Sequence, residues 1–269
     1  MFKNLFKKLI FGLLVLVLPA QGVNNYGHAS LQGRRPTMED AYFVKETSAH
    51  AFYGVFDGHG GDWVSRHLVL KLYFNIINST NFKTSPLRAI LAGCLLTNQD
   101  LSSLAEQQGS TAIMALIKNG QIYVGNVGDS RAVLCSASKA QALSQDHKPD
   151  RPDEHKRITD LGGFVTSRGG VARVQGILAV SRAFGDFGLK PYVIAQPEIV
   201  VHEIKKQDEF LILACDGVWD VFTNQQAVDL VKASLQKSHD PRAAAQILAQ
   251  AAYDAGSMDN ISVLVVQLN

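Results

Sequence analysis

The chain has 269 residues, of which 46% are hydrophobic and 19% charged, and its formal net charge is +2. This makeup suits one globular unit with a sizeable core, and with no Lys/Arg run longer than a pair it gives no ground for a nucleic-acid partner. Three widely spaced cysteines, Cys94, Cys135 and Cys215, each lie in an apolar segment, which argues against a disulfide framework and for buried thiols.

The first 22 residues differ from the rest: Lys3, Lys7 and Lys8 precede an apolar run over 9–18, then Pro19-Ala20-Gln21-Gly22. This pattern predicts a secretory signal peptide or an N-terminal membrane anchor, and so an exported or membrane-attached protein, cytoplasmic otherwise. The run is shorter than the ~20 residues of a confident transmembrane span. Residues 23–269 contain no repeat, low-complexity tract or linker and read as one domain.

Along that body, 41–44 and 50–56 predict strands, and apolar stripes predict helices over 62–77 (Val64, Leu68, Leu72, Ile76) and 86–104 (Leu87, Ile90, Leu91, Cys94, Leu95). Strands follow over 111–117 and 121–126, joined at Asn119-Gly120, a pair that tolerates the positive φ of a tight hairpin. Further strands are predicted over 132–135, 198–204, 210–215 and 261–268. Thr223 with Gln226 forms a capping box for a helix to about 236, and Asp240-Pro241 opens another that Gly256 closes. Strands cluster between helix pairs instead of alternating with them, which predicts an α+β fold of antiparallel sheets covered by helices, not a doubly wound parallel one.

Aspartates sit where the strands end. Tyr53-Gly54-Val55-Phe56 runs into Asp57-Gly58-His59, and Leu211-Ile212-Leu213-Ala214-Cys215 runs into Asp216-Gly217. Val127-Gly128-Asp129 and Met258-Asp259-Asn260 repeat the placement at other sheet ends. One Asp-Gly is first a turn signal. Four acids at apolar strand ends instead need a cation or donors to offset their desolvation. Carboxylates and a backbone carbonyl, without His or Cys clustering, suit a hard cation, Mg²⁺ or Mn²⁺ rather than Zn²⁺. Upstream, Glu39 is placed to hold a metal-bound water, Arg35 offers a fork for phosphate, and His59 is placed to protonate a leaving alkoxide. A catalytic role for Cys215 finds no support, because its flanks supply no cation or histidine to lower a thiol pKa.

Seven segments carry a resemblance. They are Gly33-x-Arg35-x-x-Met38-Glu39-Asp40, Val55-Phe56-Asp57-Gly58-His59-Gly60-Gly61, Gly109-Ser110-Thr111-Ala112 and Asn126-Val127-Gly128-Asp129-Ser130-Arg131, followed by three more. Those are Arg173-Val174-x-Gly176-x-Leu178-Ala179-Val180-Ser181-Arg182-Ala183-Phe184-Gly185-Asp186, Leu213-Ala214-Cys215-Asp216-Gly217-Val218-Trp219-Asp220 and Asp259-Asn260-Ile261-Ser262-Val263. In this order, over about residues 26–268, they resemble the metal-dependent serine/threonine protein phosphatases of the 2C type, the PPM family.

The resemblance implies a central sandwich of two antiparallel sheets flanked by pairs of antiparallel helices, four layers in the order αββα. It implies a centre of two Mg²⁺ or Mn²⁺ ions, with Asp57 bridging both, the Gly58 carbonyl on one, and Asp216 and Asp259 on the other. Asp129 and Asp220, with Asp216, match the ligands of a third, weaker ion. Arg35 matches the phosphate-binding arginine, His59 the general acid, and Glu39 an acid reaching a metal through water. The implied reaction is hydrolysis of phosphoserine and phosphothreonine in proteins by a hydroxide bridging two metals, without a phosphoenzyme. Phosphorylated proteins are then the partners, the membrane enters only through an uncleaved leader, and a monomer is expected.

Between Gln145 and Gly170 lie Asp146-His147-Lys148-Pro149 and Arg157-Ile158-x-x-x-Gly162-Gly163, the family's flap region in a short form, so substrate identity transfers least. Two other readings use the same fold: a catalytically weak phosphoprotein-binding regulatory module, which predicts a lost acid or a lost Arg35, and a phosphatase for small phosphate esters, which differs in groove shape. No ligand position is substituted.

Overall fold

A computed structural model describes residues 25–101 and 105–268. The signal peptide or anchor predicted over 1–22 and the last three residues of the helix predicted to end at 104 lie outside them. Among the described residues no helix is long and apolar enough to cross a membrane.

Strands β1 (Tyr26–Leu31), β2 (Ala41–Glu46) and β3 (Ala51–Phe56) lead through the two-residue β4 (Gly58–His59) into helices α1 (Trp63–Ile77) and α2 (Pro86–Asp100). The short β5 (Gly109–Ser110) precedes β6 (Ala112–Lys118), β7 (Gln121–Val127), β8 (Arg131–Ser136) and β9 (Lys139–Ala142). Helix α3 (Pro152–Asp160), the hairpin β10 (Val165–Arg168) and β11 (Val171–Val174), and the two-residue β12 (Phe184–Gly185) follow. The chain then forms β13 (Glu198–Glu203), β14 (Asp208–Ala214), the one-turn α4 (Asp216–Trp219), α5 (Asn224–Ser238), α6 (Pro241–Asp254) and β15 (Ile261–Gln267).

Two five-stranded antiparallel sheets, ordered β1-β15-β14-β8-β9 and β13-β7-β6-β3-β2, stack face to face. Their central strands are apolar on both faces because each face meets a different core. In β14, Leu211 and Leu213 point into the inter-sheet core with Tyr53, Val55, Ile113, Leu264 and Val266. Phe210 and Ile212 point the other way, against Val228, Val231 and Leu248 of α5 and α6. Helices α1 and α2 cover the second sheet, where Leu68, Leu72 and Ile76 meet Phe52, Met114 and Leu116. The predicted α+β class and four-layer order are those observed.

Local chemistry accounts for the boundaries. Asn119 and Gly120 take φ of 53° and 73°, closing the β6–β7 hairpin. The capping box forms: Gln226 N–H donates to Thr223 Oγ1 at 3.3 Å, and Thr223 N–H donates to Gln226 Oε1 at 2.9 Å. Asp240 Oδ1 accepts from Arg242 N–H at 2.8 Å at the start of α6. One stripe needs correcting: in α2, Leu87 and Leu95 are exposed, and the buried face is Ala89, Ile90, Gly93, Cys94 and Thr97. Small Gly93 lets α2 lie so close to α1 that a Cβ there would meet Ile76 at 2.5 Å, which turns the two leucines outward.

Antiparallel register gathers the functional ends at one edge. Ala41 pairs with Phe56, so Asp40 and Asp57 leave the sheet together. Ala112 pairs with Val127, bringing Thr111 beside Gly128 and Asp129. Leu31 pairs with Ile261 and Ala214 with Val263, which sets the 32–39 loop and Asp216 next to Asp259 and Asn260.

Candidate active site

At that edge opens a pocket of about 370 Å³ lined by Arg35, Glu39, Asp57, Gly58, His59, Asp129, Asp216 and Asp259, together with Thr111 and Asn260. Eight of the nine residues singled out in the sequence therefore share one cavity. The ninth, Asp220, lies one helical turn beyond Asp216 in chain order and lines an adjoining groove with Arg131 and Trp219.

Carboxylate oxygens of Asp57, Asp129 and Asp216 lie within 4.8 Å of one another, close to the ~4.2 Å between opposite ligands of an octahedral ion with bonds of about 2.1 Å. Oδ1 of Asp216 is buried and lacks a hydrogen-bond partner among the described residues. Burial, then Asp40, Asp216, Asp129 and Asp259, pushes the Asp57 carboxyl well above the usual carboxylate range. Burial, then Asp129, Asp220 and Asp259, does the same to Asp216. Asp40, buried behind them, is raised to about 6, mainly by loss of solvent. Such a cluster must take up protons or a cation, and its all-oxygen pocket face fits a divalent metal.

Asp259 stands apart from the triad: its Oδ2 accepts from Arg35 Nη2 at 2.6 Å, and the arginine side chain is 55% exposed at the rim. Glu39 is fixed by Thr37 Oγ1 at 3.0 Å and Gly61 N–H at 3.3 Å. Asn260 secures the loop, donating to the Gln32 and Thr37 carbonyls at 2.7 and 2.9 Å and accepting from Glu39 N–H at 2.8 Å. His59 Nε2 lies 2.8 Å from Asp186 Oδ2.

Cysteine does join the acids, contrary to the sequence expectation of a site without it. Because Cys215 directly follows inward-pointing Leu213 by two residues, its thiol also points inward, within 4.8 Å of Asp40 and Asp57 oxygens. Burial, then Asp40 and Asp57, drives its pKa far up, so it stays a neutral thiol behind the pocket.

The protein phosphatase 2C family profile matches residues 24–261. The chain belongs to the protein phosphatase 2C family. By class it is a protein serine/threonine phosphatase. It is 45% identical over 249 residues to "Probable protein phosphatase 2C 7" of Oryza sativa subsp. japonica, covering 90% of this chain and 65% of that one. "Probable protein phosphatase 2C 45" of the same plant is 44% identical, with 93% and 89% covered. Among solved structures, the serine-threonine phosphatase 2C of Toxoplasma gondii superposes with a TM-score of 0.81 at 27% identity, covering 91% of this chain and 95% of that one. A C. elegans sex determining protein gives 0.86 at 26%, covering 92% and 65%.

In this protein phosphatase 2C chain three site residues escaped the sequence reading. Lys148 donates to Asp129 Oδ2 from the flap, and although burial opposes its charge, Asp129, then Asp216 and Asp220, hold it protonated. Asp40 had much the same signal as Asp259, an acid at the start of a strand: it directly precedes β2, and Asp259 lies two residues before β15. Asp186 had no local signal, since its partner is 127 positions away.

Proposed function

We propose that this phosphatase hydrolyses phosphoserine and phosphothreonine in proteins with water as the nucleophile, supported by two Mg²⁺ or Mn²⁺ ions and a third, weaker one. The observation that carries this is the triad of Asp57, Asp129 and Asp216 in one pocket with Arg35 at its rim and His59 in its wall. Asp57 and the Gly58 carbonyl would hold one ion, Asp57 with Asp216 and Asp259 the second, and Asp129, Asp216 and Asp220 the third, with Glu39 acting through water. When bound, such cations lower the pKa of a coordinated water and neutralise phosphoryl charge.

The chain's own residues supply the rest. Arg35 is committed to Asp259 through one nitrogen, which leaves its other donors for phosphoryl oxygens. His59 gives its proton to the departing seryl or threonyl oxygen as the P–O bond breaks. Cys215, the thiol nearest the acids, is held neutral, which favours direct attack by water over a covalent intermediate. Arg173, Leu178, Ala179 and Val180, in the segment that follows the flap, line the pocket where a phosphopeptide backbone would lie.

The test is phosphate release from a phosphothreonine peptide by the whole chain with and without Mn²⁺. Activity should require the ion and vanish in Asp57→Asn and Asp216→Asn. Turnover that survives either substitution or chelation would sink the mechanism.

A further inference from the structure

His59 does not hang freely in the pocket wall. Three two-residue strands form a separate small sheet, β12-β5-β4, whose register sets His59 beside Gly109 and Gly109 beside Gly185. The residue after Gly185 is Asp186, whose side chain is 5% exposed and whose Oδ2 meets His59 Nε2. The bond passes directly over Gly109: a Cβ there would lie 2.1 Å from Asp186 Oδ2 and 2.3 Å from His59 Nε2. Any other residue at 109 would push the pair apart.

Asp186 adopts φ 48° and ψ 45°, a left-handed conformation uncommon outside glycine. It is held there by its N–H to the Gln108 carbonyl at 3.0 Å, and the next two residues donate to Ala105 and Glu106 carbonyls. Strain kept in place by surrounding contacts commonly marks a group whose direction matters. The alternative partner is Lys190, which is near enough to interact electrostatically but gives its Nζ to the Val193 carbonyl at 2.8 Å.

We infer that Asp186 is a positioning residue for His59, accepting the Nε2 proton so that the ring is locked with Nδ1 as the nitrogen that serves the leaving group. Nδ1 has no hydrogen-bond partner among the described residues, and the ring lines the pocket. This rests on the reading of His59 as the general acid. As water-derived hydroxide bonds to phosphorus, its own proton having passed to solvent, the P–O bond to the seryl or threonyl oxygen breaks. That oxygen keeps the bonding electron pair and takes the Nδ1 proton. The neutral imidazole retains its Nε2 proton on Asp186, and solvent returns the lost one. A carboxylate that fixes an imidazole's orientation and tautomer serves this purpose in other acid–base sites.

The experiment compares the whole Mn²⁺-loaded enzyme with D186N, H59Q and the double variant on two substrates. A phosphothreonine peptide has a poor leaving group that needs the proton, whereas p-nitrophenyl phosphate has a good one that does not. Asparagine tolerates the left-handed conformation, so D186N keeps the backbone. D186N should lower kcat on the peptide by about 10- to 100-fold with KM within about two-fold, and change p-nitrophenyl phosphate turnover by less than about three-fold. The double variant should be no slower than H59Q, because the two residues act as one unit. G109A, which leaves both side chains but wedges them apart, should reproduce the same substrate-dependent loss. Equal losses on both substrates, or additive losses in the double variant, would overturn the positioning role. So would an impaired H59Q beside a D186N that matches wild type. An H59Q that cleaves the peptide normally would overturn instead the underlying reading of His59 as the acid.

Discussion

Replacing Glu154 with glutamine should loosen the flap and destabilise the whole enzyme. Glu154 on α3 is 1% exposed, and its carboxylate accepts from Arg182 at 2.6 and 3.1 Å and from Arg157 at 2.8 Å. The two arginines in turn donate to the Ser181, Tyr192 and Gln196 carbonyls, so one carboxylate ties α3 to the segment that carries Val180 into the pocket. Burial alone would raise its pKa, but hydrogen bonds from Arg182, then Arg157 and Ser181, outweigh it and bring the group from 4.5 down to about 2. That displacement is about 3 kcal/mol of preference for the charged form in the folded state. Removing one partner of a buried ion pair typically costs about 3–5 kcal/mol, because the arginines are left uncompensated. At about 2–4 °C per kcal/mol for a domain of this size, E154Q should melt on the order of 10 °C lower at pH 7. A folded pKa below the unfolded one gives stability that is full above pH 4.5 and lost as pH falls towards 2, so the gap between wild type and E154Q should narrow from pH 4.5 to 3. Thermal melts over that series decide it. A pH 7 gap under about 2 °C, or one that stays constant on acidification, would refute the reasoning.

Asp216→Asn should have opposite effects with and without metal. Without metal it relieves like-charge crowding around a carboxyl already forced towards its protonated form, so the chelated variant should melt higher than chelated wild type; with Mn²⁺ only wild type should gain stability, as thermal shifts will report. His147 is fully buried, and burial, then Arg182 and Arg151, lowers its pKa from 6.5 to about 4. The neutral ring is therefore favoured in the folded state, and its contribution should fall by about 3 kcal/mol as pH drops from 6.5 to 4. Urea unfolding of H147Q against wild type should show their difference shrinking across that window, above the one in which Glu154 acts.

The layers were legible because the central strands, such as β3 and β14, are buried on both faces, which writes a continuous apolar run, and because α1, α5 and α6 carry their own stripe or caps. The strands that escaped notice are short or polar: β1 is an edge strand, Tyr26–Leu31, of mixed character, and β9 and the β10–β11 hairpin expose most of their residues. Helix α3 escaped for a different reason. It has Pro152 at its start, acids in its first turn and Arg157 in its last, but it buries a single apolar residue, Ile158, so periodicity had nothing to count.

The same contrast runs through the site. Asp57, Asp129, Asp216 and Asp259 could be read from sequence because each sits where an apolar strand meets the edge, and register alone then makes them converge. Glu154, Lys148 and Asp186 could not, because each lies in a segment outside the two large sheets, where no strand register says which partner it meets. Asp186 and Glu154 both belong to the stretch between β9 and β13, which carries little core of its own beyond Ile158, Val174, Val180, Ala183 and Val193. Such a stretch must be held by polar ties: Glu154 with Arg182 anchors the chain two residues from pocket-lining Val180, and Asp186 ends on His59 in the pocket wall. The metal-facing acids are thus placed by the sandwich, with Lys148 of the flap as their one tie to that region among the contacts described, whereas the substrate-facing side and the partner of His59 come from the flap and the segment after it. E154Q should therefore leave Mn²⁺ binding intact while raising KM for the peptide, a separation that a uniformly weakened fold would not produce.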